Sequence, residues 1–255
     1  MFKAFLFSAI ATLMVSTSLS ATETLHVYGP GGPAPAMQEA ASVFGKQQGI
    51  DVQVTAGPTL KWARDMQSDG AIVYSGSEAM MSDFLTAFAS QLLPDTVRLL
   101  YLRPAGILVR PGNPKRIHGF HDLLHLGTKI MVVNGAGQVG LWEDIAGRDG
   151  DIRTVANFRS HIAVYAGNSA EAVKAWETDP SIDAWIIFPI WSIAHPGLAQ
   201  VVPLEPQYRL YRDCGVVLTR HGAGDPRARA FVDFLASPSG EKIFEKYGWT
   251  ARAVP

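Results

Sequence analysis

Four short segments of this 255-residue chain are built from glycine, proline and small hydroxyl or amide residues, and each directly follows an apolar run. They are Gly29-Pro30-Gly31-Gly32-Pro33, Gly57-Pro58-Thr59, Ser75-Gly76-Ser77, and Asn134-Gly135-Ala136-Gly137-Gln138-Val139-Gly140. A helix that starts at such a turn leaves its first N–H groups unpaired, and they carry the positive end of the helix dipole. Glycine lets a ligand approach that backbone, and serine or threonine adds a hydroxyl donor. The combination holds an anion without any net protein charge. One such turn is ordinary cap chemistry; four in one chain point to anion binding at the carboxyl ends of parallel strands. Lys61, Arg103 and Arg212 lie close in sequence to these turns or to the long strands, and an arginine fork suits bidentate carboxylate or sulfate contacts. Their positions are equally compatible with solvation or with ion pairs to Glu78 or Asp213. Either acid, placed in a cleft, would favour a protonated ligand such as hydrogen phosphate over sulfate. Trp185, beside Asp183, is the tryptophan best placed to face a ligand.

The elements that must position these turns alternate between β-like runs and amphipathic helical stretches, which argues an α/β fold. Strands are predicted at Leu25–Tyr28, Ile50–Val54, Ala71–Tyr74, Lys129–Val133, Ile162–Tyr165, Asp183–Phe188 and Leu210–Thr219. Helices are predicted after each of the four turns, at Ser169–Trp176, and in two closing stretches, Pro226–Leu235 and Pro238–Tyr247. Val97–Arg110 reads as nearly continuous β interrupted at Pro104, after which the alternation begins afresh. Two lobes follow, with the long strands crossing between them: residues 21–105 plus 217–255 in the first, 106–216 in the second. No internal repeat of fixed period is visible.

Composition narrows the function. Apolar residues make up 47% and charged residues 18%, and 22 basic against 23 acidic residues leave a formal charge of −1. No basic surplus exists to attract nucleic acid or an anionic membrane, so neither is expected as a partner. Cys214, the single cysteine, excludes an internal disulfide and a cysteine-based metal site. His118, His121 and His125 share helical spacing on a polar stretch and read as a solvated face, so no metal or other cofactor is expected. Gly135–Gly140 spells G-x-G-x-x-G, but the ribose-binding acid expected about 20 residues further on is missing, which disfavours a dinucleotide. No nucleophile is paired with a base, and catalysis is not expected. Residues 1–20 read as a secretory signal: Lys3, an apolar Ala4–Val15 run too short to span a membrane, then Ser18-Leu19-Ser20.

Several motifs resemble those of molybdate-type periplasmic solute-binding proteins. Ala71–Glu78 with Met80 and Met81 matches their strand, Ser-x-Ser and methionine signature. Ile107–Pro114 and the tail from Phe231 to Trp249 are similar as well. Gly29–Pro33, Tyr101–Pro104, Asn134–Gln138 with Leu141–Asp144, and Tyr211–Gly215 resemble the accessory colonization factor (AcfC) branch. The resemblance implies a type II binding-protein fold: two lobes, each a mixed sheet flanked by helices, joined by two crossovers. It implies first-lobe contacts at Gly31, Gly32, Ser75, Gly76 and Ser77, and second-lobe contacts at Asn134, Gly135, Ala136, Gly137 and the region after Asp183. The first turn lacks the serine of the molybdate proteins, which argues against molybdate, and the resemblance to the AcfC branch implies sulfate or a related anion. A monomeric periplasmic protein serving an inner-membrane ABC permease is expected. Use as a sensor or colonisation factor, presenting its ligand to a receptor, stays open.

Overall fold

The computed structural model describes residues 24–135 and 137–252; the expected signal segment and Ala136 lie outside them. The first sheet is formed by β1 (Leu25–Gly29), β2 (Val52–Ala56), β3 (Gly70–Tyr74), β4 (Arg98–Pro104) and, late in the chain, β10 (Tyr211–Leu218). The second holds β5 (Gly106–Val109), β6 (Ile130–Val133), β7 (Ile162–Ala166), β8 (Ala184–Ile187) and β9 (Gln200–Pro203). Their orders are β2-β1-β3-β10-β4 and β7-β6-β8-β5-β9. Each sheet therefore has three parallel strands, one antiparallel strand and an edge strand paired antiparallel to it. The two halves share a plan that no sequence repeat announces.

The helices are α1 (Ala34–Gln48), α2 (Thr59–Asp69), α3 (Glu78–Ala87), α4 (Leu141–Ala146), α5 (Ile152–His161), α6 (Ser169–Thr178), α7 (Ile190–Ala194), α8 (Arg220–Ala223), α9 (Pro226–Leu235) and α10 (Pro238–Lys246). In α1, Pro35 occupies the first turn, and Met37, Ala40, Ala41 and Phe44 form its buried stripe. Gly49 ends it at φ 66°, its N–H donating to the Gly45 carbonyl, a left-handed cap that glycine adopts without steric cost. The first sheet is packed on one face by α1, α9 and α10 around Phe44, Phe231 and Phe244. Its other face meets α2 and α3 around Trp62, Met66 and Phe84. The second lobe has its own core, with Phe120, Trp142, Phe158, Trp176 and Trp185.

The 97–110 run divides at Ala105: β4 pairs with β10 and β5 with β8 and β9, so one continuous apolar stretch serves two sheets. The Ala105 N–H donates to the Leu210 carbonyl at 2.7 Å, setting the two crossings side by side. The lobe boundary expected at 216/217 falls inside β10. Residues 211–216 pair with β4 in the first sheet, and the second crossing lies before Tyr211. Four of these elements escaped the sequence pattern: α5, β9, α7 and the four-residue α8. Only Phe158 and His161 are buried in α5, too few to print a clear helical stripe.

Cys214 is buried, and loss of solvation pushes its thiol well above the ordinary range. Thiolate is the reactive form. A chromogenic thiol reagent at pH 8 is therefore expected to detect no cysteine in the folded protein and one after denaturation.

Candidate functional site

The three parallel strands of the first sheet each run into a helix start: β1 into α1, β2 into α2, β3 into α3. In the second lobe β7 runs into α6 and β8 into α7. These carboxyl ends enclose a cavity of about 80 Å³, measured as the space open to the centre of a water-sized sphere. Since one water needs ~10–15 Å³ on that measure, several waters or one small ligand fit. First-lobe residues Gly31, Gly32, Pro58, Gly76 and Arg103 line it together with second-lobe residues Gln138, Asn168, Ser169 and Trp191. Helices α1 and α2 begin at Pro33 and Pro58 with no side-chain cap, so their first amides have no such acceptor. In α3 and α6 the caps are Ser77, accepting from the Met80 N–H, and Asn168, accepting from the Glu171 N–H.

Arg103 is the charge at this site. It sits on β4 beside the crossover, 5% exposed. Its guanidinium lies 3.7 Å above the Phe188 ring and 4.7 Å from Trp249. Of five N–H donors, one is used among the described residues: Nη2 donates to the Gly76 carbonyl at 2.8 Å. Nε is buried without a partner among the described residues. Burial pulls the guanidinium down to about 9, against opposing effects of Cys214 and then Asp213; it stays protonated at neutral pH. Arg110 shows what a satisfied arginine looks like in the same protein. Its Nε, Nη1 and Nη2 donate to the carbonyls of Ile182, Trp176 and Asp179, and the group stacks 3.8 Å over Trp176. Arg110 is a structural clamp; Arg103 holds donors in reserve beside a cavity. Gly32 leaves room for it: a Cβ there would stand 2.6 Å from Nη1, and the end of the arginine would have to shift.

The sequence-derived candidates separate into several places. Gly31, Gly32, Gly76, Arg103 and Gln138 line the cavity. Ser75 ties β3 to β10, its Oγ accepting from the Gly215 N–H at 3.2 Å. Ser77 and Gly137 meet at the seam between the lobes, where a Cβ on Gly137 would lie 2.7 Å from Ser77 Oγ. Thr59 stands in the first turn of α2 with Lys61 exposed beyond it, outside the lining, which Gly57 and Pro58 supply instead. Asn134 is exposed, its N–H on the Ala166 carbonyl, and Gly135 packs on Gly167, so this loop braces its neighbour. Trp185 is fully buried behind Trp191, ring centroids 6.3 Å apart, and it is Trp191 that reaches the cavity. Asn168, Ser169 and Ala170 at the start of α6 complete the lining. They follow Ala166-Gly167, the same strand, glycine and polar-cap pattern as the other turns, and that signal was present in the sequence.

Arg212 is engaged elsewhere. It donates from Nη2 to Asp144 Oδ2 at 2.6 Å, linking β10 to α4 beside a second cavity lined by Glu78, Asp83 and Asp213. Asp144 is half exposed, and such pairs contribute at most about 1 kcal/mol. Arg212→Ala is expected to change ligand affinity by less than about fivefold, measured by calorimetry. Among the described residues no cluster of His, Cys, Asp or Glu could hold a metal, and no helix is long and apolar enough to cross a membrane. His118 and His125 flank Asp122 at 3.5 and 3.9 Å, a carboxylate partner that the spacing of the histidines did not reveal.

Two lobes of one strand order, facing each other across a cavity ringed by helix starts, make this a type II periplasmic binding-protein fold. Residues 25–250 match the family model described as bacterial extracellular solute-binding protein, and the chain belongs to that family. It is similar to PEB3 from Campylobacter jejuni at 32% identity and a TM-score of 0.83, covering 89% of this chain and 100% of that one. A structure of PEB3 with L-phospholactate bound gives 0.84 at the same identity and coverage. The fold is shared with the sulfate-binding protein SubI of Mycobacterium tuberculosis (18% identity, TM-score 0.73, 89% of this chain and 86% of that). It is shared too with the molybdate-binding protein of Azotobacter vinelandii (15%, 0.67, 90% and 100%). Comparison with curated proteins finds no match.

Proposed function

We propose that the protein captures a small acid bearing a sulfate-like tetrahedral oxyanion group, phosphoryl included, and closes its two lobes around it. The observation that carries this reading is Arg103: a buried guanidinium at a cavity wall with one hydrogen bond among the described residues. An anion restores to it the partners that burial removed, through charge-assisted hydrogen bonds. The uncapped starts of α1 and α2 face the same cavity from one lobe and the α6 start from the other, and each adds amide donors and a favourable dipole. That PEB3 takes L-phospholactate, and that proteins of this fold bind sulfate and molybdate, supports an oxyanion ligand. Closure is a hinge movement at Ala105 and the crossing that ends at Leu210. The protein acts in the periplasm as a monomer, carries out no catalysis, and hands its ligand to an inner-membrane ABC permease.

Calorimetry of the purified protein against sulfate, thiosulfate, molybdate, phosphate, phospholactate, citrate and sulfated sugars tests the reading. At least one anion is expected to bind with a Kd of about 1 μM or tighter, roughly −8 kcal/mol. No heat from any member of the panel would contradict it. Loss of uptake of that anion in a deletion strain checks the transport role, and unchanged uptake would remove it.

A further inference from the structure

The two crossings between the lobes border a second space, which the anion site does not use. Ala105 and Gly106 on the first crossing and Tyr211 after the second line a cavity of about 190 Å³, larger than the anion cavity by the same measure. Pro104 and Thr250 continue its wall on the first-lobe side, and Pro189, Val201 and Leu204 belong to the second lobe. The two cavities share no lining residue. They are nevertheless one residue apart in the chain at three points: Pro104 follows Arg103, Pro189 follows Phe188, and Thr250 follows Trp249. Those predecessors are the arginine of the anion site and the two rings around it. Gly106 keeps part of the second cavity clear. A Cβ there would meet the Val202 carbonyl oxygen at 3.5 Å, Pro189 Cγ at 3.7 Å and Val201 Cγ1 at 3.8 Å, all ordinary contacts. Its φ is not positive either, so neither packing nor backbone demands a glycine, and a larger residue would fill the space.

We propose that this cavity is the clearance of the hinge: it lies behind the crossings, and its first-lobe and second-lobe walls close on each other when the lobes part around the anion site. Two bodies that pivot about their crossings cannot separate in front without approaching behind. The aliphatic walls then shed water in the open form, which stabilises the ligand-free protein with its cleft apart. Part of each anion's binding free energy is used to reverse that contact, so the rear cavity sets the apparent affinity of a site that it never touches. This deepens the closure reading and rests on it. Added bulk behind the hinge hinders opening, raises the closed fraction and tightens binding.

The test uses Gly106→Val and Val201→Phe, which fill the cavity from the crossing and from β9. The second leaves the hinge backbone as it is, so an effect shared by both comes from volume and not from the lost freedom of a glycine. Small-angle scattering of each ligand-free variant is expected to give a smaller radius of gyration than the ligand-free wild type. Calorimetry with the tightest-binding anion of the panel is expected to show about three- to tenfold tighter binding in each, because apparent affinity scales with the fraction already closed. An unchanged radius, or an affinity that stays the same or falls, in a folded variant overturns the proposal while leaving anion binding intact. Melting curves identify a variant that folds poorly, and the other then decides. If no anion of the panel binds, the anion-binding reading itself falls, and the scattering of the ligand-free variants still decides whether the rear cavity holds the lobes apart.

Discussion

Arg103→Met is expected to weaken anion binding by roughly two to three orders of magnitude while shifting the melting temperature of the ligand-free protein by less than about 4 °C. Hydrogen bonds to a charged group are worth about 1.5–3 kcal/mol each, and breaking a buried pair by removing one partner costs about 3–5 kcal/mol. At 1.4 kcal/mol per tenfold, the lower part of that range already gives a hundredfold loss. Stability behaves differently because the ligand-free arginine is poorly paired. Methionine forfeits the bond to the Gly76 carbonyl and the stacking on Phe188 and Trp249. It also relieves the cost of burying a charge with so few partners, and such replacements are often close to neutral. One kcal/mol moves the melting point of a chain this size by about 2–4 °C. Anion added at a hundred times Kd stabilises the wild type by about 2.7 kcal/mol, and that ligand-induced rise is expected to vanish in the variant. Equal losses of affinity and of ligand-free stability would make Arg103 a packing residue.

Gly137→Ala is expected to lower affinity by about ten- to a hundredfold through the seam between the lobes, from a position that is not itself in the cavity lining. Gly137 has φ +78°, a left-handed conformation that costs a residue with a Cβ about 1–2 kcal/mol. That strain is common to open and closed forms and lowers stability alone. The added methyl, however, would stand 2.7 Å from Ser77 Oγ and 3.0 Å from Met80 Cε, contacts that exist only while the lobes are together. Calorimetry reads the affinity, and small-angle scattering reads whether saturating anion still compacts the variant. Unchanged affinity would mean that closure does not pass through this contact.

Much of the architecture was legible because it rests on local grammar. Apolar runs ending in glycine-rich turns located β1, β2 and β3 with their helices, and the same rule applied to Ala166-Gly167-Asn168 would have marked the start of α6, itself predicted as a helix from Ser169, as a further ligand-facing turn. What local grammar cannot express is which of two adjacent strand ends reaches the ligand. The Asn134–Gly137 loop matched the pattern more fully, yet its first residues brace the loop after β7, and it is Asn168–Ala170 that lines the cavity. The strand Leu210–Thr219 was readable, but its membership of the first sheet is set by pairing with β4 more than a hundred residues earlier. Arg103 was visible as a cation near a crossover. Its burial between Phe188 and Trp249, which belong to the cores of different lobes, is a tertiary fact. Trp185 and Trp191 differ for a similar reason: the strand residue has both faces of its sheet covered, whereas the residue in the following short helix stands at the strand end, where the cavity opens.

A crystal structure of the protein grown with the tightest-binding anion of the panel probes the molecule most directly. Its density is expected to lie in the cavity between the lobes, within hydrogen-bond distance of the Arg103 guanidinium and of the Ser169 or Ala170 amide at once. An anion bound only on an outer surface, or a cavity that stays empty of it at saturating concentration, would contradict the two-lobed grip.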